Sequence, residues 1–541
     1  MRTARTKEKV GPGSAPWVGQ RRRSVAALVV GCALLAGPVA SALPAYAVPQ
    51  KSGTNTPAPD EPGAVPKGLE SFYSQEVSWY PCGDSGGIQK TDEQGKFSCA
   101  TVTVPMDYNN PDGKTIQVAV KKRAADGESR GSLFINPGGP GGSGISLVEA
   151  VDKSFSKDLL AGYDVVGFDP RGVGSSTPIT CQDAKSAEEA SAEQPQEESS
   201  FENWAQGYMD EVSKLEKQCR EHSEPGLLDH VGTASVARDL DVLRAVSGEK
   251  SLNYLGFSYG TELGYTYAEL FPENAGRLVL DGAMDSTSTN HRLTVETAEG
   301  YEKALRRYVQ ACLEGKAGDN CPLTGSVEDG VQQIRDLITS ANASPLKTSD
   351  PDVKITGAQL TGAIRRYLSG GAWPQLTAAL APAIGQNDAS GFAEAVKQAS
   401  AGVSMTAWTA VMCQDRPAQG NMDAWKAQYE ETQKVAPTFA GGASFDMTCA
   451  AWGHYSKTDP IPQDVHAKGA APILVVGTAG DPATPYHWAQ ALAKQLDSAQ
   501  LLTWDGNAHV AYMRGNKCIT TAVDDFLLGG QLPQNNLTCT S

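Results

Sequence analysis

The sequence predicts an α/β fold with a mostly parallel central sheet and an inserted, largely helical domain. Continuous apolar runs such as Leu252–Phe257 and Pro472–Thr478 are typical of strands buried on both faces of a parallel sheet. Helical patterns separate several of these runs, and alternating strands and helices form layered α/β structures. From residue 286 to about residue 465 strand-like runs become scarce and helical patterns dominate, which predicts the insertion.

Six runs are predicted to be strands of the sheet. A helix is predicted between two of them: Thr233 would be its N-cap, Val236, Leu240 and Leu243 share a face, and Gly248 would end it. The predicted strands are Ser132–Asn136, Tyr163–Asp169, Leu252–Phe257, Arg277–Gly282, Pro472–Thr478 and Ala499–Trp504.

The N-terminus has the pattern of a secretory signal peptide. Three arginines, Arg21 to Arg23, precede the apolar run Ser24–Gly37, and small residues then lead to Ala47. The run is too short to cross a bilayer comfortably, so it is not predicted to be a membrane anchor. The arginines leave a twin-arginine export route open. Few apolar residues precede Cys32, which argues against a lipoprotein cleavage site.

Composition divides the rest of the chain and limits its partners. We expect residues 48–66, rich in Pro, Gly, Thr and Ser, to form a flexible leader or propeptide. The predicted α/β core would span residues 67–285 and 466–541, with the helical cap at 286–465. An acidic stretch at 186–200 is expected to be an exposed excursion. A net charge of −16 argues against a nucleic-acid partner.

The cysteine count fits an exported protein. Of 11 cysteines, Cys32 would leave with the signal peptide, and an even number in an exported chain implies disulfides. The simplest connectivity joins neighbours in sequence order, including Cys312–Cys321 and Cys518–Cys539. No C-x-x-C pair is present, so a zinc or redox site has little support, and we expect no metal or cofactor. The cysteines beyond Cys32 are Cys82, Cys99, Cys181, Cys219, Cys312, Cys321, Cys413, Cys449, Cys518 and Cys539.

Ser258 lies between a predicted strand and a predicted helix, in the sequence Gly256-Phe257-Ser258-Tyr259-Gly260. A serine on a tight strand-to-helix turn needs small neighbours, and the two glycines leave that room. The turn places the following N–H, that of Tyr259, at a helix N-terminus, where an oxyanion is stabilised. An ordinary Gly-rich βα turn is the structural alternative. The pattern predicts that Ser258 is a nucleophile.

A base and an acid follow in the order expected for such a serine. His509 lies in a Gly/Asn turn shortly after the last predicted strand, and Asp481 lies just past the strand before it. The acid would hold the imidazole tautomer and stabilise the imidazolium. Asp505 is the nearest rival for this role. The chain order Ser258, Asp481, His509 is that of the α/β-hydrolase fold.

Five glycines in "INPGGPGGSG", Ile135 to Gly144, follow an early strand. They let the backbone approach a substrate closely, as a second oxyanion donor requires. The run lacks the Gly-Lys-Ser/Thr ending of a nucleotide-binding loop, so a phosphate site is poorly supported.

Four motifs together resemble the proline-iminopeptidase-like serine peptidases, and among them the secreted tripeptidyl aminopeptidase branch. They are "NPGGPGGSG", "GFDPRGVGSS" (Gly167 to Ser176), "GFSYGTELG" and "GTAGDPATP". Pro137 stands where many iminopeptidases have histidine, which favours the tripeptidyl branch. The resemblance runs from about residue 75 to the C-terminus. It implies a Ser258–Asp481–His509 triad, with oxyanion N–H groups from Tyr259 and Gly139.

A peptidase acting from the amino end must recognise a free ammonium, which requires a carboxylate or several carbonyls in its cleft. Asp415, in "VMCQDRP", is the candidate substrate-binding residue, and a structural ion pair with Arg416 or another residue is the alternative. The sequence predicts an exported exopeptidase that acts on peptides with a free N-terminus and carries no membrane span once processed. Attachment to the cell wall is left open. A secreted esterase or lipase with the same triad, or an inactive hydrolase-like binding protein, remain open.

Overall fold

The computed structural model describes residues 65–84, 86–92, 94–181, 200–401, 403–441, 444–456 and 459–540. The predicted signal peptide, nearly all of the predicted leader and all but the last residue of the acidic stretch 186–200 lie outside these ranges. In the part of the chain that is described, no helix is long and apolar enough to cross a membrane.

A ten-stranded sheet forms the centre of the described structure, in the order β1-β2-β3-β5-β4-β6-β7-β10-β11-β12. Neighbouring strands from β5 to β12 run parallel, whereas β1, β2 and β3 pair antiparallel at one edge. The strands are β1 (Tyr80–Pro81), β2 (Phe97–Pro105), β3 (Thr115–Arg123), β4 (Ser132–Asn136), β5 (Asp164–Phe168), β6 (Leu252–Phe257), β7 (Ala275–Asp281), β10 (Ile473–Thr478), β11 (Ala499–Asp505) and β12 (Thr538–Thr540); β8 (Leu346–Lys347) and β9 (Lys354–Ile355) form a separate pair.

The central strands are apolar throughout because helices cover both faces of the sheet. In β4, Phe134 packs into the core on one face, while Leu133 and Ile135 pack into the core on the other. One face carries α5 (Thr233–Val246), α6 (Tyr259–Leu270) and α15 (Tyr486–Gln495); the other carries α2 (Gly144–Ser154), α3 (Lys157–Gly162) and α16 (Lys517–Gly529). A short α1 (Glu70–Tyr73) precedes the sheet, and α4 (Phe201–His222) follows β5 in the chain.

The helical insertion is confirmed between β7 and β10. Its helices build a third apolar core of their own around buried residues such as Leu305, Ile334 and Leu380. The insertion contains α7 (Asn290–Leu313), α8 (Val327–Ala343), α9 (Gly357–Gly370), α10 (Trp373–Gln386), α11 (Ala393–Ala401), α12 (Met405–Asp415), α13 (Met422–Val435) and α14 (Phe445–Trp452).

One helix outside the insertion also belongs to the cap. Helix α4 precedes β6 in sequence, yet Tyr208 on it donates to or accepts from Thr448 of α14 at 2.7 Å. Ser213 donates to the carbonyl of Ala451 on the same cap helix. The cap is therefore built from two separate segments, and the sequence pattern identified only the longer one.

All five predicted disulfides are present in the structure. They join Cys82 to Cys99, Cys181 to Cys219, Cys312 to Cys321, Cys413 to Cys449 and Cys518 to Cys539.

Two local expectations were incomplete or wrong. The antiparallel strands β2 and β3 were not predicted. Strand β3 carries Lys121 and Arg123, which are buried through ion pairs with Glu149 and Asp152. The N-cap of α5 is Gly232, not Thr233. The Thr233 hydroxyl is instead hydrogen-bonded to Tyr259 and Asp415, outside this helix.

Candidate active site

Ser258 occupies a strained turn between β6 and α6. Its φ of 57° and ψ of −126° lie outside the regions that side-chain-bearing residues usually adopt. The Ser258 N–H donates to the carbonyl of Asp281 at 2.9 Å, which fixes the turn to the end of β7. A Cβ on Gly256 would lie 2.4 Å from the Gly260 carbonyl oxygen, so the close approach of strand and helix requires glycine. This is the local geometry that the sequence predicted for a nucleophile turn.

The predicted acid and base are in direct contact. The His509 Nδ1 atom lies 3.0 Å from each carboxylate oxygen of Asp481. The Asp481 side chain is fully buried, while His509 remains 18% exposed. The backbone N–H of His509 donates to the carbonyl of Ser369 on the cap helix α9, at 2.8 Å. The contacts with Asp481 hold the imidazole with its Nδ1 edge toward the carboxylate.

Asp481 is held by four further hydrogen bonds. Its Oδ1 accepts the N–H groups of Ala483 and Thr484, each at 2.9 Å. Its Oδ2 accepts the Thr484 hydroxyl at 3.1 Å and the Val510 N–H at 3.2 Å. Every one of these partners is a donor, so hydrogen bonds at both oxygens hold the carboxylate in one orientation.

Asp281 is a part of the site that sequence reasoning missed. While its carbonyl holds Ser258, its carboxylate accepts the N–H groups of Ala511 and Tyr512, just beyond His509, at 2.8–3.0 Å. Burial raises the pKa of this carboxyl to about 6. One residue thus connects the serine turn to the histidine loop. The Asp-Gly at the end of a predicted strand was the only available signal.

The glycine run passes directly over the serine turn. A Cβ on Gly138 would lie 3.0 Å from both the Ser258 Cβ and the Tyr259 nitrogen, and 2.3 Å from the Phe257 carbonyl oxygen. Gly138 and Gly139 have φ values of 87° and 115°, which only glycine adopts readily. The two predicted oxyanion donors, Tyr259 and Gly139, therefore belong to adjacent backbone segments beside Ser258.

Ser258, Tyr259 and Gly139 line a cavity of about 430 Å³ between the sheet and the cap. Its walls are dominated by aromatic and methionine side chains, including Trp204 and Trp408. Among the described residues that line it, Arg365 is the one formally charged side chain. The Arg365 guanidinium lies over the rings of Tyr301 and Phe439, 5.1 and 5.4 Å from their centroids. The described lining thus combines large apolar side chains with several hydroxyl groups, a single cation and no carboxylate.

Asp415 does not line this cavity. It is buried at the end of α12, where its carboxylate accepts the N–H and the hydroxyl of Thr233 at 2.7 and 2.6 Å. Burial, together with the negative charge of Glu262, raises the pKa of Asp415 above its ordinary value. The adjacent Arg416 pairs with Glu262 rather than with Asp415, at 2.7 Å. A substrate-binding role for Asp415 stays a prediction, and its observed contacts are internal.

Within the described ranges, no group of three or more His, Cys, Asp or Glu side chains is arranged to hold a metal ion.

Two family models match the chain: the alpha/beta hydrolase fold over residues 131–320 and the TAP-like protein model over residues 436–539. Serine protease Hip1 of Mycobacterium tuberculosis is 34% identical over 489 residues, covering 87% of this chain and 92% of that protein. A Mycobacterium tuberculosis protein named Carboxylesterase B is 34% identical over 534 residues, covering 96% and 99%. The tripeptidyl aminopeptidase of Streptomyces lividans is 32% identical over 483 residues, covering 86% of each chain.

Proposed function

Because the chain belongs to the tripeptidyl aminopeptidase-like family of α/β-hydrolase serine peptidases, we propose that it is an exported peptidase that removes short peptides, three residues long, from free N-termini. One observation carries the proposal. The strained Ser258 turn and the glycine run line a single cavity roofed by the cap, and Thr484, which lines the same cavity, is hydrogen-bonded to both members of the His509–Asp481 pair.

The chemistry follows from the roles of these groups. Ser258 Oγ attacks the scissile carbonyl, and His509, oriented by Asp481, accepts the hydroxyl proton. The N–H groups of Tyr259 and Gly139 stabilise the oxyanion of the tetrahedral intermediate. His509 then protonates the leaving amine, and a water molecule activated by the same imidazole hydrolyses the acyl-enzyme.

The cap supports cleavage near a chain end. A cavity of about 430 Å³ falls within the usual size range of small-ligand pockets and is too small for a folded or long polypeptide. The S. lividans relative is named for tripeptide release, and this activity comes to the present chain as part of the proposal. Five disulfides support an oxidising compartment outside the cytoplasm.

For the substrate amine we propose a mode of recognition other than the carboxylate that the sequence led us to expect. With no acidic side chain in the described lining, the substrate's ammonium would be held by hydroxyl and carbonyl oxygens and by aromatic faces such as Trp204 and Tyr208. Such a pocket favours bulky apolar side chains in the released segment, because the walls offer them extensive apolar contact.

The test is a library of unblocked peptides, incubated with the purified protein and analysed by mass spectrometry. Release of tripeptides from the amino end supports the proposal, and the Ser258→Ala variant should release nothing. Fragments arising only from internal bonds, or equal release by Ser258→Ala, would refute it.

Ester hydrolysis is a second candidate, favoured by the apolar aromatic lining and consistent with the name of the Carboxylesterase B relative. Comparing kcat/KM for an acyl ester and for an unblocked aminoacyl anilide separates the two functions. Turnover of the ester alone would favour the esterase.

A further inference from the structure

We propose that the cap helix α12 sets the position of both oxyanion donors, and that Thr233, Asp415 and the phenol of Tyr259 are positioning residues for catalysis. The inference rests on the proposed function of Ser258 as nucleophile. It assigns Asp415 a task inside the protein instead of contact with substrate.

The start of α12 holds the glycine run. The Ser404 N–H, at the helix N-cap, donates to the Gly141 carbonyl at 3.1 Å, and Val403 forms an antiparallel bridge with Gly142. A Cβ on Gly141 would lie 2.6 Å from the Ser404 carbonyl oxygen. The loop that carries the Gly139 N–H therefore packs without space against the first turn of this helix.

The end of α12 holds the other donor. Asp415 accepts both the N–H and the hydroxyl of Thr233, and the Thr233 oxygen is also hydrogen-bonded to the Tyr259 hydroxyl. Because the Thr233 hydroxyl donates to the carboxylate, it accepts from Tyr259. A continuous chain of hydrogen bonds thus runs from the cap helix to Tyr259, whose backbone N–H is one of the two proposed oxyanion donors.

Two neighbouring contacts fix the same junction. Arg416 pairs with Glu262, which lies in the first turn of α6 close to Tyr259. Gln414 accepts the Val231 N–H at 2.6 Å, near the start of α5. Three consecutive residues at the end of α12 therefore bond to the segments that surround the serine turn.

The position of α12 affects the distance between the oxyanion donors and the charge that develops on the substrate oxygen. Oxyanion stabilisation depends on donors placed about 2.7–3.1 Å from the developing charge, and loss of one donor costs roughly 10²–10³-fold in rate. Here the two donors come from different segments, and α12 contacts both. Loosening the phenol of Tyr259 should misplace one donor without removing it, so we expect a smaller effect, of about tenfold on kcat.

The experiment uses Tyr259→Phe and Thr233→Val, which remove the link with little change in volume, and Thr233→Ser, which keeps the hydroxyl. With p-nitrophenyl acetate as substrate, the first two should lower kcat about tenfold with KM within about twofold. Phenylboronic acid, whose serine adduct places an oxygen in the oxyanion site, should bind about tenfold more weakly. Binding of benzamide, a neutral ground-state competitor, should not change. Thr233→Ser should keep the wild-type kcat. The double variant Tyr259→Phe/Thr233→Val should be no slower than either of its single variants, because both substitutions break the same link.

The cap offers a matched control. Tyr308 and Thr377 form the same kind of buried tyrosine–threonine hydrogen bond, at 3.0 Å, and neither lines the cavity. Tyr308→Phe should lower stability to a similar extent and leave kcat unchanged.

The proposal is overturned if Tyr259→Phe and Thr233→Val keep wild-type kcat and boronate affinity, or if they lose benzamide and boronate binding equally. It is also overturned if Tyr308→Phe is slowed as much as Tyr259→Phe. Failure of the proposed function is a separate result, namely turnover by Ser258→Ala or no labelling of Ser258 by a fluorophosphonate.

Discussion

Asp481→Asn should nearly abolish turnover while preserving the fold. All the groups around this carboxylate are donors: the backbone N–H groups of Ala483, Thr484 and Val510, the Thr484 hydroxyl and His509 Nδ1. An asparagine has one acceptor oxygen and one NH₂. The oxygen is best satisfied by the two N–H groups at the Oδ1 position, which leaves the NH₂ facing His509.

The size of the effect follows from the tautomer. An NH₂ donating to Nδ1 forces the imidazole proton onto Nε2, so the histidine can no longer accept the Ser258 proton. In serine hydrolases of this kind such a change lowers kcat about 10⁴-fold, or about 5.5 kcal/mol in the barrier. The loss of charge-assisted bonds should also lower stability, by about 1–3 kcal/mol.

The assay is steady-state turnover of an unblocked aminoacyl anilide, with circular dichroism to confirm the fold. Asp505→Asn is the matched control, since Asp505 is exposed at the end of β11 and was the rival acid. It should retain kcat within about twofold. Near-wild-type turnover by Asp481→Asn, with loss in Asp505→Asn, would show that the acid is misassigned.

Three further predictions concern the substrate, a disulfide and pH. Acetylating the amino terminus of a good peptide substrate should lower kcat/KM at least ~100-fold, about 2.7 kcal/mol, and equal cleavage of both forms would indicate an open cleft. The double variant Cys518→Ser/Cys539→Ser, which opens a loop with a sequence separation of 21, should lose about 3 kcal/mol in urea unfolding; an unchanged midpoint would contradict this. Hydrogen bonds to Asp229 and then Glu216 raise the pKa of His454, which remains only 13% exposed. The contribution of protonated His454 to the free energy of unfolding is therefore fully present below the pKa of the unfolded chain, about 6.5, and is lost as pH rises through the higher pKa of the folded protein. We expect His454→Gln to lower the free energy of unfolding at pH 5.5 and to lower it much less at pH 9.

Much of the fold could be predicted from local sequence patterns. Strands β4 and β6 were predicted with the residues they have, because strands covered on both faces are apolar at nearly every position. The antiparallel strand β3 was missed for the opposite reason. Its buried Lys121 and Arg123 are neutralised by partners far away in sequence, and no local rule anticipates them.

The site divides in the same way. Ser258 stands in a short contiguous motif, and Asp481 and His509 each follow a predicted strand, so position alone singled them out. Asp281 escaped notice because its function depends on where β7 lies beside β6 and on the path of the loop after His509. Asp415 was noticed for its charge, but its partner Thr233 lies 182 residues away in the chain.

The order of the disulfides has a consequence for how the chain matures. The ten cysteines that the structure describes pair off in sequence order, each with its neighbour, with separations between 9 and 38 residues. If the chain is exported unfolded by the general route, rather than folded by the twin-arginine route, it enters an oxidising compartment progressively from one end, and every native pair is complete before the following cysteine arrives. Thiols that oxidise with the first partner they meet would then give the native connectivity, so reshuffling by an isomerase would have little to correct. Oxidation after the whole chain is released in a reduced, unfolded state would lose this temporal order and allow many other pairings.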